Sequence, residues 1–257
     1  MKEFDNYVFD LYGTLIDIHT DEENPDLWIK MAKYLRLGWD VNYTGPELRS
    51  AYIKICADEE EKLQKQNGAR YPEIQIEKVW QRLVSDKNAT LAENDDNAQK
   101  IRDLCVYFRE TSRDKLEVYG GVVETLDKLR KNGRKIFLLS NAQRAFTEKE
   151  LEETGLSDKF DKIYISSDAG IKKPQKEFLK KLIMENSLAS EKTVMVGNDI
   201  FSDVGVAFAN GINSIFLNTY NYSDERIDKE LRELGIKGSC FMPAIINGDN
   251  LTCTLWW

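Results

Sequence analysis

Several polar side chains sit where apolar runs stop. Asp10 follows Tyr7-Val8-Phe9, Ser140 and Asn141 follow Ile136-Phe137-Leu138-Leu139, and Asn198 and Asp199 follow Thr193-Val194-Met195-Val196-Gly197. Lys173, directly before Pro174, comes a few residues after Lys162-Ile163-Tyr164-Ile165. Taken singly, Ser, Asn and Asp at such places are ordinary helix N-caps. Four run ends with a lysine among them describe more: an anion held by helix N-termini, a hydroxyl and a cation, facing a carboxylate. That is the equipment of nucleophilic displacement. A carboxylate suits the nucleophile's role because it is ionised at neutral pH without a base to activate it.

The elements that must position these groups alternate. From Val118 onward, short buried runs (Lys135–Leu139, Lys162–Ile165, Thr193–Val196, Ser214–Leu217) are separated by helical stretches (Val122–Lys131, Glu148–Glu153, Gln175–Glu185, and one ending at Asn210-Gly211). Strands spaced by helices of this length mean βαβ units and a parallel sheet. In such a sheet the strand ends share one edge, where ligands bind. Residues from about Asp21 to Lys115 read differently. Leu27, Trp28, Met31, Ala32, Tyr34 and Leu35 make one helical stripe, and Leu48 to Cys56, Val79 to Leu83 and Ile101 to Phe108 make three more. Breakers separate them at Asn42–Pro46 and Asn67–Pro72. The reading is an α/β, Rossmann-like parallel sheet core over residues 1–18 and 116–225. A four-helix domain fills 19–115, joined by linkers near His19-Thr20 and Leu116. Residues 226–257 form a C-terminal extension with one charged helix and no assigned role.

The 257 residues carry a formal charge of −8, with 42% hydrophobic and 31% charged side chains. That length supports a sizeable core without disulfides or structural metal. An acidic chain lacks the basic face that nucleic acid or an anionic membrane requires, so neither is expected as a partner. Cys56, Cys105, Cys240 and Cys253 are scattered with no CxxC pair and read as thiols of a reducing compartment. The single histidine, His19, rules out His-rich metal sites and argues against a histidine-based triad. No run approaches the roughly 18 apolar residues of a membrane span, and no secretory leader is recognisable. The expectation is a cytoplasmic protein, a monomer or homodimer.

Four motifs stand in order: Asp10-Leu11-Tyr12-Gly13-Thr14, Leu138-Leu139-Ser140-Asn141, Gly170-Ile171-Lys172-Lys173-Pro174, and Val196-Gly197-Asn198-Asp199-Ile200-Phe201-Ser202-Asp203. In this order, each at a predicted strand end, they resemble the haloacid dehalogenase-like (HAD) hydrolase superfamily. The likeness covers residue 1 to about 220, with the helical segment where the family places its cap. The resemblance implies Asp10 as nucleophile, Ser140 bonding a phosphoryl oxygen, and Lys173 neutralising Asp10 and the transferred group. It implies Thr14 and Asn141 as substrate-binding residues. Lys172 reads as a surface charge. The activity implied is a Mg2+-dependent phosphatase acting on a small phosphorylated metabolite.

Two departures bear on that activity. Phosphatases of the family usually carry an Asp two residues after the nucleophile, to protonate the leaving oxygen and activate water. Here Tyr12 stands there and is the candidate catalytic residue at that place, although a tyrosine with its ordinary pKa near 10 is a poor general base. A Tyr at this place is familiar in the family's 2-haloacid dehalogenases, whose halide leaving group needs no proton. The fourth motif reads Gly-Asn rather than Gly-Asp, with the acid displaced to Asp199 and with Asp203 in register. Asp10, the Tyr12 carbonyl, Asn198 or Asp199, and Asp203 are the expected cation ligands, since a hard cation takes oxygen donors. The alternatives are a carbon–halogen hydrolase, with Arg36 and Arg49 as candidates to receive the substrate, and a catalytically weak phosphate-binding protein.

Overall fold

The computed structural model describes residues 3–88 and 97–248. Strands β1 (Asn6–Phe9), β4 (Lys135–Ser140), β5 (Lys162–Ile165), β6 (Thr193–Gly197), β7 (Asn213–Asn218) and β8 (Ala244–Asn247) form one sheet in the order β5-β4-β1-β6-β7-β8. Every neighbouring pair is parallel. All four residues of β1 are buried. With side chains alternating across the sheet, Tyr7 and Phe9 join one apolar cluster and Val8 the other. This is why the run is continuously apolar rather than alternating. From β1 the chain winds outward through β4 and β5, then restarts at β6 on the other side. That reversal at β1 is the topological switch point at which open α/β sheets bind ligands.

Helices α5 (Val122–Lys131), α6 (Arg144–Glu153), α8 (Lys176–Glu185) and the short α9 (Gly205–Ala209) alternate with these strands. Another short helix, α7 (Ser166–Ala169), directly follows β5. Between β2 (Ile16–Thr20) and β3 (Arg113–Val118) the chain forms α1 (Pro25–Trp39), α2 (Gly45–Asn67), α3 (Ile76–Ser85) and α4 (Asn97–Ser112). Their starts are marked in the sequence. Asn24 accepts from the Asp26 amide ahead of α1, and Thr44 and Glu47 form a reciprocal capping box on α2. Their stripes meet in a cluster built on Trp28, Tyr52, Trp80 and Phe108, with ring centroids 5.1 to 5.7 Å apart.

Two parts differ from the sequence reading. The expected linkers are paired strands: β2 (Ile16–Thr20) runs antiparallel to β3 (Arg113–Val118) in a separate two-stranded sheet. Residues 113–115 are therefore strand and not the end of a helical segment. Ile16 pairs with Val118 and Ile18 with Leu116, and all four pack on the core, but the charged residues between them (Asp17, Lys115 and Glu117) mask so short an alternation in the sequence; Lys115 pairs with Asp17, and His19 meets Asp114 at 2.7 Å. The tail from 226 is not a separate extension as far as Gly248. Helix α10 (Asp224–Glu233) buries Ile227 and Leu231 against Ile200, Val204 and Phe216, and β8 adds the sixth strand. Cys56, Cys105 and Cys240 are free thiols, and Cys253 lies outside the described residues. Among the described residues no helix is long and apolar enough to cross a membrane.

Candidate active site

Lys173 is the centre of the strand-end cluster. Its ammonium is fully buried and donates to Asp10 Oδ1 (2.6 Å), Asp203 Oδ1 (2.7 Å) and the Leu139 carbonyl (2.8 Å), which uses all three of its hydrogens. Burial alone would pull the ammonium pKa down, but the Asp10 and Asp203 carboxylates outweigh it and hold it above the ordinary lysine value. With Oδ1 of Asp10 occupied, Oδ2 is the freer oxygen. It faces the Thr14 hydroxyl at 3.1 Å.

The nucleophile turn is tight. Gly13 has φ +78°, and a Cβ there would stand 2.2 Å from Asn198 Nδ2 and 2.7 Å from the Tyr220 hydroxyl, so both conformation and space require glycine. The same holds for space at Gly197, where a Cβ would fall 2.2 Å from Asp203 Oδ2. Asp203 lies in a single π turn, Ile200–Val204, which aims it at Lys173. Its other oxygen accepts from the Asp199 amide at 3.1 Å. Burial pushes the Asp203 carboxyl up, with Lys173 opposing.

Ser140, at the end of β4, is fully buried, and its Oγ has no hydrogen-bond partner. An unpaired buried hydroxyl calls for an explanation, and an oxygen of a bound anion supplies one. Asn141 lines the cavity beside Tyr12 and is also committed to the lysine-bearing loop. Its side chain is bonded twice to the Lys173 backbone, Oδ1 accepting from the amide (2.8 Å) and Nδ2 donating to the carbonyl (3.1 Å). It therefore holds the lysine-bearing loop in place.

Tyr12 departs from expectation. Its hydroxyl donates to Glu150 and lies 3.1 Å from Thr147 Oγ1 on α6. Burial and then the Glu150 charge push its pKa far up, so it is neither a base nor an acid poised for proton transfer. Glu150 in turn takes Arg109 Nε at 2.8 Å and Arg113 at 3.0 Å. The Arg109 guanidinium lies over the Phe146 and Tyr12 rings, at 4.6 and 5.3 Å. This network joins α4 and β3 to α6 and to the nucleophile turn. A cavity of about 300 Å3 opens beside it, lined by Tyr12, Ile18, Glu73, Arg109, Asn141, Ala142, Gln143 and Phe146. Arg36 and Arg49 take no part. Arg36 lines a separate surface pocket, and Arg49 pairs with Glu23. Arg109, Glu150 and Tyr220 escaped the sequence reading. Glu150 had a signal, because with Phe146, Thr147 and Leu151 it lies on the buried face of α6.

The expected cation ligands are brought together only in part. Asp199 is exposed and caps the π turn, its Oδ1 2.5 Å from the Ser202 amide. Asp203 is spent on Lys173 and on the Asp199 amide. Among the described residues no three His, Cys, Asp or Glu side chains form a metal cluster. Asp10 Oδ2 and Asn198 Oδ1 remain. Both lie within 3.2 Å of Thr14 Oγ1, which has one hydrogen for two oxygens. Two buried carboxylates share one lysine, which leaves one negative charge uncompensated. Oxygen donors short of hydrogens beside an excess negative charge fit a divalent cation. Magnesium itself needs only one or two carboxylates alongside a phosphate.

The strand-end cluster sits at the switch point of a Rossmann-like sheet, where such folds bind ligands. The chain belongs to the haloacid dehalogenase-like hydrolases, the family model matching residues 4–211. It is 32% identical over 102 residues to the pyrimidine 5'-nucleotidase YjjG of Escherichia coli, covering 39% of this chain and 45% of that one. The chain spans about half the length of the curated relatives it matches. Among solved structures it is similar to the 2-haloacid dehalogenase of Pseudomonas syringae (TM-score 0.58, 17% identity, covering 95% of this chain and 94% of that one). It is also similar to the magnesium-bound HAD-hydrolase YfnB of Bacillus subtilis (TM-score 0.50, 17% identity, covering 97% and 96%). At these identities the structural likeness speaks for the fold.

Proposed function

We propose that the chain hydrolyses small phosphomonoesters through an aspartyl-phosphate on Asp10. The unpaired, buried Ser140 hydroxyl, next in the chain to the Leu139 carbonyl that Lys173 holds, carries this reading, since it matches an oxygen of a transferred phosphoryl group. Asp10 Oδ2 attacks phosphorus, and the phosphorus–oxygen bond to the leaving group breaks, the departing oxygen keeping the bonding pair and taking its proton from water, since Tyr12 supplies none. Lys173 holds Oδ1 and offsets the charge that gathers on the phosphoryl oxygens. Water then attacks the acyl phosphate, releasing phosphate and restoring Asp10. Asp10, the Tyr12 carbonyl and Asn198 would hold Mg2+, which supplies electrophilic stabilisation of the phosphoryl oxygens. Helices α1–α4 act as a cap that keeps water from the site. The cavity beside Tyr12 receives the leaving portion, and about 300 Å3 suits a small metabolite.

The carbon–halogen reading keeps one supporting observation. The Tyr12 hydroxyl is tied to Glu150, so position 12 brings no acid to an oxygen leaving group, and a halide needs none. The discriminating experiment is Mg2+-dependent release of p-nitrophenol from p-nitrophenyl phosphate against halide release from 2-chloropropionate. Phosphate turnover without halide release supports the proposal, and the reverse replaces it. Phosphate binding with neither product would point to the phosphate-binding alternative.

A further inference from the structure

Tyr220 stands in the loop after β7, half exposed and outside all four motifs. Its hydroxyl and the Asn198 amide nitrogen both crowd the face of Gly13 where a Cβ would be. The Asn198 NH2 end and the Tyr220 hydroxyl therefore lie side by side over Gly13. At its other end, Asn198 Oδ1 lies 3.2 Å from Thr14 Oγ1, next to the nucleophile. The adjoining Thr219 secures the same turn, its Oγ1 donating to the Gly13 carbonyl at 2.7 Å.

An asparagine differs from an aspartate at such a position in one decisive way. A carboxylate has two equivalent oxygens, whereas an amide has a donor end and an acceptor end, and only the oxygen end binds a cation. Asn198 is 6% exposed, so bulk water does not readily satisfy its NH2. We infer that Tyr220 is a positioning residue for the cation site. Its oxygen takes the NH2 end of Asn198 and thereby turns Oδ1 toward the nucleophile. The inference rests on the proposed role of Asn198 as a magnesium donor. It accounts for how a chain lacking the second acid at this place presents an oxygen there in a fixed direction.

The test is a two-by-two set: wild type, Tyr220→Phe, Asn198→Asp, and the double variant. Each is titrated with Mn2+ after metal removal, with free Mn2+ read by electron paramagnetic resonance and Mg2+ added as competitor. Thermal melts check folding. Tyr220→Phe leaves a buried amide without its acceptor, and a drop in Mn2+ affinity of about 5- to 30-fold is expected. In the Asn198→Asp background the same substitution should change affinity less than about twofold, because an aspartate needs no turning. Equal affinities of wild type and Tyr220→Phe would overturn the inference. So would an equal loss in both backgrounds, which is the mark of a general packing effect. Absence of competable Mn2+ binding in wild type would instead remove the metal reading, and this inference with it.

Discussion

Replacing Lys173 by methionine isolates the electrostatic design of the site. The ammonium is enclosed between Asp10 and Asp203, and the side chains of Lys173 and Asp203 are only 1% and 2% exposed. Methionine keeps the length of the stem but strands two buried carboxylates together. Breaking a buried ion pair by deleting one partner costs about 3–5 kcal/mol. For a chain of this size each kcal/mol moves the melting temperature by about 2–4 °C, so a fall of about 6–20 °C is expected. The loss should depend on pH. Burial already pushes the Asp203 carboxyl up, and without the lysine it rises further. A carboxyl whose folded pKa exceeds its unfolded value stabilises the fold at low pH and loses that contribution as pH rises through the folded value. The deficit should therefore be largest near about pH 8 and shrink toward about pH 5.5. Lys173→Met/Asp203→Asn, with one anion removed, should recover a large part of it. Calorimetric melts of the three proteins at both pH values make the measurement. A Lys173→Met protein melting within about 2 °C of wild type at both pH values would refute the buried-triad reasoning.

Tyr12→Phe should keep activity on p-nitrophenyl phosphate within about threefold and lower stability by about 0.5–1.5 kcal/mol, because its hydroxyl serves Glu150 and Thr147. A loss above a hundredfold in kcat would show that the hydroxyl does chemistry. Glu150→Ala should destabilise by about 3–5 kcal/mol, leaving Arg109 and Arg113 without their shared buried anion, as urea unfolding would read. Gly13→Ala should remove activity by more than about a hundredfold in a protein that still folds, since its Cβ would displace Asn198 and Tyr220. A folded Gly13→Ala enzyme with normal kcat/KM would mean that the turn can yield to a side chain at this position.

The strands and the helical stripes were legible because burial on both faces of β1, β4 and β6 leaves continuous apolar runs, and because α1–α4 carry a 3.6-residue period. Asp10, Ser140 and Lys173 were legible as polar punctuation of those runs. The β2–β3 ribbon was not, since it joins segments almost a hundred residues apart and its short apolar alternation, Ile16 and Ile18 facing Val118 and Leu116, is interrupted by charged residues. Strand β8 was missed for a related reason: it is a short edge strand of four residues. The role of Asn141 depends on a loop 32 residues away, and that of Tyr220 on a turn more than two hundred residues earlier. Neither distance leaves a local pattern. Position 12 signalled a departure, but only the fold reveals that Tyr12 is tied to Glu150.

The most direct test is to look for the covalent intermediate itself. The enzyme is mixed with acetyl [32P]phosphate and quenched in acid, and the label is located by peptide mass spectrometry. Hydroxylamine-labile phosphate on the peptide carrying Asp10, absent in a folded Asp10→Asn variant, is the expected result. Label on a different residue would contradict Asp10 as the nucleophile. So would full turnover by Asp10→Asn.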